Sequence, residues 1–267
     1  FVNPAILADA GMDRDAAFVA TCLAAAFGSL LMGILANYPI ALAPGMGLNA
    51  FFTYTVVGQM GHSWQTALGI VFLSGIIFLL LSVFPVREWI VNSIPRALKM
   101  AISAGIGMFL AIIALKSAGI VVDNPVTLVQ LGDLGQPAAL FTAIGLFAMV
   151  AMDRLKVPGA ILIAILGITI VASILGMNQF SGVVSAPPSL APSFMQMDLA
   201  TAFELGLIAV IFAFLFVDLF DTAGTLIGVA HRAGLLDKDG RLPRLRGALL
   251  ADSLSTVAGA AIGTSTT

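Results

Sequence analysis

The stretch LGLIAVIFAFLFVDLFDTAGTLIGVA, residues 205–230, decides how this chain is read. Its only charges are two aspartates, Asp218 and Asp221, and it is long enough to cross a bilayer, whose hydrocarbon core takes about 20 apolar residues. Fifteen of its residues are Leu, Ile, Val or Phe, together worth about −5 to −9 kcal/mol on the insertion scale. Two ionised aspartates near the centre cost about 5–7 kcal/mol on that scale. The helix can only just carry them, which marks them as functional rather than incidental. At about 100° per residue, Asp218, Asp221, Thr222 and Thr225 share one narrow stripe. A polar stripe on a lipid-length helix faces protein or a water-filled cavity.

The rest of the chain agrees. Hydrophobic residues make up 60% of it and charged residues 10%, and the mean hydropathy is +1.07. A soluble domain of this length exposes far more charge. The net charge of −2 says little about partners, because the charges fall in loops. The one cysteine, Cys22, excludes an intramolecular disulfide and a Cys-based metal site; it is expected as a small core residue. The chain opens at Phe1 and stops just after an apolar run at Thr267, which reads as part of a longer membrane protein.

Apolar runs predict the end of a first helix at 2–7, then spans at 16–36, 38–57, 66–84, 100–121, 138–152, 157–177, 205–230 and 248–262. Alternate crossing puts Arg87, Arg96, Lys99, Arg154, Lys156, Arg232, Lys238, Arg241, Arg244 and Arg246 on one side, and only Arg14 and Lys116 on the other. Basic residues accumulate on the cytoplasmic side, so the first set is cytoplasmic. Residues 87–91 read as a short amphipathic helix in the cytoplasmic interface, with Trp89 at headgroup depth and Trp64 at the opposite face. The connection from Asn178 to Phe203, with Pro187, Pro188 and Pro192, reads as an external loop. His62 and His231 fall at segment ends and read as interfacial.

The second informative feature is YPIALAPGMGLNAFFTYTVV, residues 38–57. Pro39, Pro44, Gly45 and Gly47 cannot sit in one continuous helix. Irregular backbone at membrane depth is tolerated only where protein buries it or it lines a cavity. An extended stretch to about Gly47 is expected, followed by a half-helix from Leu48. Asn49 would then stand near that helix start, beside free N–H groups and the positive dipole end. Its amide can donate and accept, which suits a flat heterocycle. Gly263-Thr264-Ser265-Thr266-Thr267 is a candidate mirror of this break, since glycine and hydroxyl or β-branched residues favour extended chain. Inverted-repeat transporters hold substrate between such paired discontinuous segments.

Four motifs resemble one family. They are Phe1-Val2-Asn3-Pro4-Ala5-Ile6-Leu7, Ala43-Pro44-Gly45-Met46-Gly47-Leu48-Asn49-Ala50-Phe51-Phe52, Asp218-Leu219-Phe220-Asp221-Thr222-Ala223-Gly224-Thr225, and the stretch from Ala251-Asp252-Ser253 to Thr267. In order along the chain they resemble the AzgA-like purine permeases of the nucleobase:cation symporter-2 (xanthine/uracil permease) group. The resemblance implies an all-α polytopic membrane protein of the UraA-like inverted-repeat fold, with seven plus seven helices. This chain would hold about helices one to ten, with short extended segments in the third helix and at the start of the tenth. Residues 1–99 and 204–267 would be core domain, 100–177 gate domain and 178–203 the external loop.

The same resemblance implies a purine site of Asn49 and Gly47 on the third helix, Asp218, Asp221 and Thr222 on the eighth, and Thr266 at the start of the tenth. Asp218 and Asp221 would be the proton-coupling pair. A glutamate on the tenth helix would lie beyond Thr267, so the segment by itself is not expected to transport. The implied partners are a purine nucleobase, a proton (or Na+) and the lipid bilayer of a bacterial inner membrane. A homodimer is compatible with the family, and no cofactor, metal or nucleic acid is expected.

Rival readings have weaker support. A prenyltransferase-like membrane enzyme would bind Mg²⁺-pyrophosphate through Asp-rich motifs and nearby cations, but the chain has no second such motif. An intramembrane aspartyl protease would need aspartates on two helices. The other candidate, Asp252, is expected at the cytoplasmic start of its helix as a cap. A single-file channel would not need a broken-helix carboxylate site. A same-fold transporter of anions would be opposed by two site aspartates.

Overall fold

The first helices start where the sequence supplies a cap or a turn. The structure, a computed structural model, describes residues 1–84, 89, 90, 93, 95–177, 185–204, 207–238 and 240–267. Helix α1 (Val2–Asp9) ends in a turn, and Asp13 accepts the Ala16 N–H at 2.8 Å to open α2 (Arg14–Leu31). The last turn of α2 widens into π-helix over Met32–Ala36, stopped by Asn37 in the left-handed conformation (φ 52°). Chain without regular structure then runs to Gly45. Helix α3 (Met46–Ala50) continues as π-helix over Phe51–Gln59, and Ser63 caps α4 (Trp64–Val83).

Beyond these come α5 (Arg96–Ser117), the strands β1 (Val121–Asn124) and β2 (Leu128–Leu131), α6 (Pro137–Arg154) and α7 (Ala160–Ile174). The chain finishes with the short α8 (Leu199–Ala202), α9 (Ile208–Arg232) and α10 (Leu245–Ile262). Among the described residues, six helices are long and apolar enough to cross a membrane. The protein is a multi-pass membrane protein, as the apolar runs predict. The interfacial helix expected at 87–91 falls largely outside the described residues; Trp89 and Ile90 are helical and Trp89 is exposed.

The chain divides into two compact units. The first comprises Phe1–Gly107 and Pro187–Thr267, the second Met108–Ala186. In the first unit, α9 carries two apolar clusters in succession. Val210, Ile211 and Phe214 pack with Leu7, Leu48, Phe52 and Leu68, while Leu215, Leu219, Leu226 and Ile227 pack with Met32, Phe78, Leu245 and Leu249. The carboxylates lie in the second stretch, on either side of Leu219. Small residues let α10 approach its neighbours closely: a Cβ at Gly75 of α4 would lie 3.0 Å from Val257 Cγ2.

The second unit is built differently. Its buried residues are Ala118, Ala139, Gly145, Ala160, Ala164 and Ala172, and its large aliphatic side chains point outward. Strands β1 and β2 form an antiparallel hairpin in the register Val121↔Leu131. The Asn124 side chain shapes its turn by accepting the Val126 and Thr127 N–H groups at 2.8 and 3.0 Å. Asp133 accepts from Gly135 N–H and Gln136, first the backbone and then the side chain, which holds its carboxyl below the usual range.

Three sequence expectations are corrected. The half-helix begins at Met46 rather than Leu48, so Gly47 is helical and Asn49 lies one turn in, its N–H bonded to Gly45 O at 3.0 Å. The prolines end the irregular stretch and Gly45 takes the cap position, which leaves Met46 free to enter the helix. Cys22 is exposed, because the buried stripe of α2 is Ala16, Ala20, Ala24 and Gly28 and Cys22 falls on the opposite side. Asp252 is no cap: α10 starts seven residues earlier, at Leu245, and Asp252 is buried in mid-helix.

Candidate functional site

The two irregular stretches meet backbone to backbone. Gly45, the last residue before α3, donates its N–H to Thr266 O at 3.1 Å. Thr266 is reached through Gly263, whose φ of 104° suits glycine and stops α10. Ser193 seals this stop, its hydroxyl on Ile262 O at 3.3 Å, while Met195 N–H bonds to Ala261 O at 2.8 Å. The connection expected as a plain external loop is therefore fastened to the end of α10. Asp198 fastens it again, with its N–H on Gln65 O at 3.0 Å and its carboxylate capping α8 through Thr201. Those Thr201 bonds, side chain first, hold the Asp198 carboxyl below its ordinary range.

The aspartate helix reaches the same junction. A Cβ at Gly45 would lie 2.9 Å from Asp221 Oδ2, so a side chain there would displace the carboxylate from its present position. Asp218, one turn earlier, is buried. By contrast, no protein atom lies within 4 Å of a Cβ at Gly47, which therefore faces open space at the start of α3. The stripe predicted on α9 is graded: Asp218 is buried, Asp221 and Thr222 are half-buried and Thr225 is exposed. Thr225 returns its hydroxyl to Asp221 O at 2.7 Å, and Thr222 donates to both carboxylate oxygens of Asp252 at 3.3 Å. Those two threonines thus serve α9 itself and its contact with α10.

Asn3 of α1 ties the junction together. It is buried, donates to Thr21 Oγ1 at 2.7 Å and to Thr264 Oγ1 at 3.0 Å, and accepts from Asn49 Nδ2. Thr53 adds a second bridge to α1 through Ile6 O at 3.1 Å, and Tyr54 a third through Asp9 at 2.8 Å. Three side-chain oxygens here are buried without a hydrogen-bond partner: Asn49 Oδ1, Ser265 Oγ and Thr266 Oγ1. Most buried polar atoms are bonded, and leaving one unsatisfied costs about 1–3 kcal/mol. All three lie on the two segments that the Gly45–Thr266 backbone bond joins.

The structure thus brings Gly45, Asn49, Thr266 and Asp221 to one junction. It adds Asn3 and Ser265, which sequence reading passed over. The signal for Asn3 was available: an amide in an apolar segment at membrane depth needs a partner. Ser265 gave none, since one hydroxyl in a run of four is indistinguishable from its neighbours until the backbone is placed.

Comparison with known proteins supplies an independent observation. The sequence profile of the Permease family (xanthine/uracil permeases) matches residues 1–267. A permease of Methanocaldococcus jannaschii is 52% identical over 267 residues, covering 100% of this chain and 61% of that protein. The adenine permease AdeP of Escherichia coli K12 is 48% identical over 265 residues, 99% of this chain and 60% of its own length. The guanine/hypoxanthine permease PbuO of Bacillus subtilis 168 is 44% identical over 272 residues, 100% of this chain and 63% of its own. The chain spans about three fifths of the length of these relatives.

Proposed function

Because the chain belongs to the Permease family of xanthine/uracil permeases, we propose that this protein imports purine nucleobases, adenine, guanine or hypoxanthine, coupled to protons. The observation that carries the reading is the trio of unpartnered buried oxygens on the two breaks, Asn49 Oδ1, Ser265 Oγ and Thr266 Oγ1. A purine presents several ring and exocyclic polar groups in one plane, and such an array can satisfy them at once. The adenine and guanine/hypoxanthine permeases similar to this chain support the same substrate class.

In this reading Asn49 reads the base edge, and Gly47 leaves room for the ring. Asp218 and Asp221 receive N–H groups of the base and exchange the coupling proton. Ionised, a carboxylate accepts only; protonated, it also donates. Proton occupancy and base binding then favour each other, the linkage a symporter requires. Residues 100–177 act as the gate and the remaining helices as the core, which alternate access by moving against each other.

The test is uptake of radiolabelled adenine, guanine, hypoxanthine and uracil by cells expressing the full-length protein, with and without a proton uncoupler. Purine uptake that collapses with the uncoupler is expected. Uptake of none of the purines would overturn the substrate class, and uptake indifferent to the uncoupler but dependent on Na+ would overturn the coupling ion.

A further inference from the structure

We infer that Thr21 and Asn3 are positioning residues that fix the direction of the Asn49 amide, so that its oxygen is the acceptor offered to an N–H of the ligand. The inference rests on the proposed purine site and adds a direction to it. It follows from counting protons along one chain of contacts. The Thr21 hydroxyl has a single proton, and Thr21 donates it to Ala17 O at 2.6 Å, one turn back on α2. Toward Asn3 the same oxygen can then only accept. The Asn3 atom 2.7 Å from it must therefore be the amide nitrogen.

Thr264 holds the same nitrogen from the other break, at 3.0 Å. With both N–H groups of Asn3 in use, Asn3 Oδ1 is turned to Asn49. An amide oxygen only accepts, so Asn49 must meet it with Nδ2. The remaining atom of Asn49 is Oδ1, which is buried without a partner. One N–H of Asn49 Nδ2 is used on Asn3, and the unpartnered heavy atom of this side chain is its oxygen. A helix carbonyl at Ala17, three residues' contacts away, sets that direction.

The consequence is selectivity between purines. Adenine offers an amino donor beside a ring acceptor, whereas hypoxanthine offers a carbonyl acceptor beside a ring N–H. An Asn49 amide held in one direction, its oxygen unpartnered, meets these two edges differently. If the Thr21 hydroxyl is removed, the Asn3 amide loses the contact that fixes its direction, and Asn49 can turn over.

The experiment measures uptake of adenine and of hypoxanthine at a range of concentrations, using the full chain in cells. It compares wild type with Thr21→Ser, which keeps the hydroxyl, and Thr21→Val, which keeps the shape without it. Membrane level is measured for each. Thr21→Ser should keep the wild-type ratio of apparent affinities for the two bases. Thr21→Val should shift that ratio at least fivefold through KM, with maximal rate retained for at least one base. Equal loss for both bases at normal membrane level, or an unchanged ratio, would reduce Thr21 to structural support and overturn the inference. If Thr21→Val does not reach the membrane, Thr21→Cys, a far weaker acceptor, is read by the same criterion. Asn49→Ala separates the two levels: full affinity for both bases in that variant overturns the purine site itself, whereas lost affinity there with an unchanged Thr21→Val ratio overturns only the direction.

Discussion

The two units of this protein are both helical and both apolar, yet they bury opposite things. In Phe1–Gly107 with Pro187–Thr267, the interior holds Asn3, Asn49, Thr53, Asp218, Asp252 and the run Thr264–Thr267. In Met108–Ala186 it holds alanines and one glycine, and the polar side chains bond locally, as Thr169 does to Ile165 O and Ser173 to Thr169 O. A buried polar group must find a partner or a ligand, so it fixes the chain around it. A face of small residues specifies close approach and little else. The contrast teaches where substitutions should matter.

The largest effect is expected at Asp218. Asp218→Asn keeps the shape and removes the titration, so concentrative purine uptake should vanish even if binding survives. Proton-driven accumulation by that variant would leave Asp218 as a structural contact. Next comes the glycine pair that frames the break. Gly45→Val forces Asp221 aside, an overpacking cost of about 1–3 kcal/mol, so uptake should fall about 10- to 100-fold. Gly47→Val has room in the protein and should reach the membrane normally, yet lose transport where its side chain occupies the space of the base. Were Gly47→Val to transport as wild type, Gly47 would not adjoin the ligand.

A smaller loss is expected at Asn49. Asn49→Ala should weaken purine affinity by about 1–3 kcal/mol, leaving Asn3 Oδ1 unpaired, and a binding titration that shows no change would remove Asn49 from the site. In the second unit the sign should reverse. A Cβ at Gly167 of α7 meets nothing within 4 Å, so Gly167→Ala should raise thermal stability by about 0.5–1 kcal/mol with uptake unchanged. A loss of uptake there would mean that Gly167 makes a close contact during transport.

The smallest effect is a pH response at Asp133. Its carboxyl is held below its ordinary value of 3.8, so the folded form binds its proton less readily than the unfolded one. The stabilisation is complete above the ordinary value and is lost as pH falls through the depressed one. Amide protection factors in residues 133–136, with each exchange rate referred to the intrinsic rate at that pH, should stay flat down to about pH 4 and fall only below it. A fall beginning near neutrality would mean that another group controls this turn.

How much of this was legible beforehand differs by element. The spans of α2 with its π-helical last turn, α4, α6 and α9 lie within three residues of the apolar runs, because hydrocarbon thickness sets helix length from composition alone. The break before α3 was equally legible, since proline and glycine act locally. The β-hairpin at 121–131 was missed: the Asn124-Pro125 turn and the β-branched Val121, Val122 and Val129 are its signals, but neither Val121-Val122-Asp123-Asn124 nor Leu128-Val129-Gln130-Leu131 alternates apolar with polar. Val121 also continues the long apolar run before it.

Asp252 shows the other limit. Its sequence position near a cytoplasmic loop suggested a cap, and only the true start of α10 at Leu245 moves it into the interior beside Thr222. The sequence by itself determined that the chain spans a membrane, where it breaks, and which two carboxylates lie within a lipid-length helix. Those properties follow from transfer free energies and backbone sterics, which act residue by residue. The tertiary structure alone decided that Gly45 meets Thr266, that Asp221 abuts the break, and that Asn3 turns Asn49 to show its oxygen. These are relations between residues up to 261 positions apart, such as Asn3 and Thr264, and no local pattern encodes which polar atom will be left without a partner once the helices close.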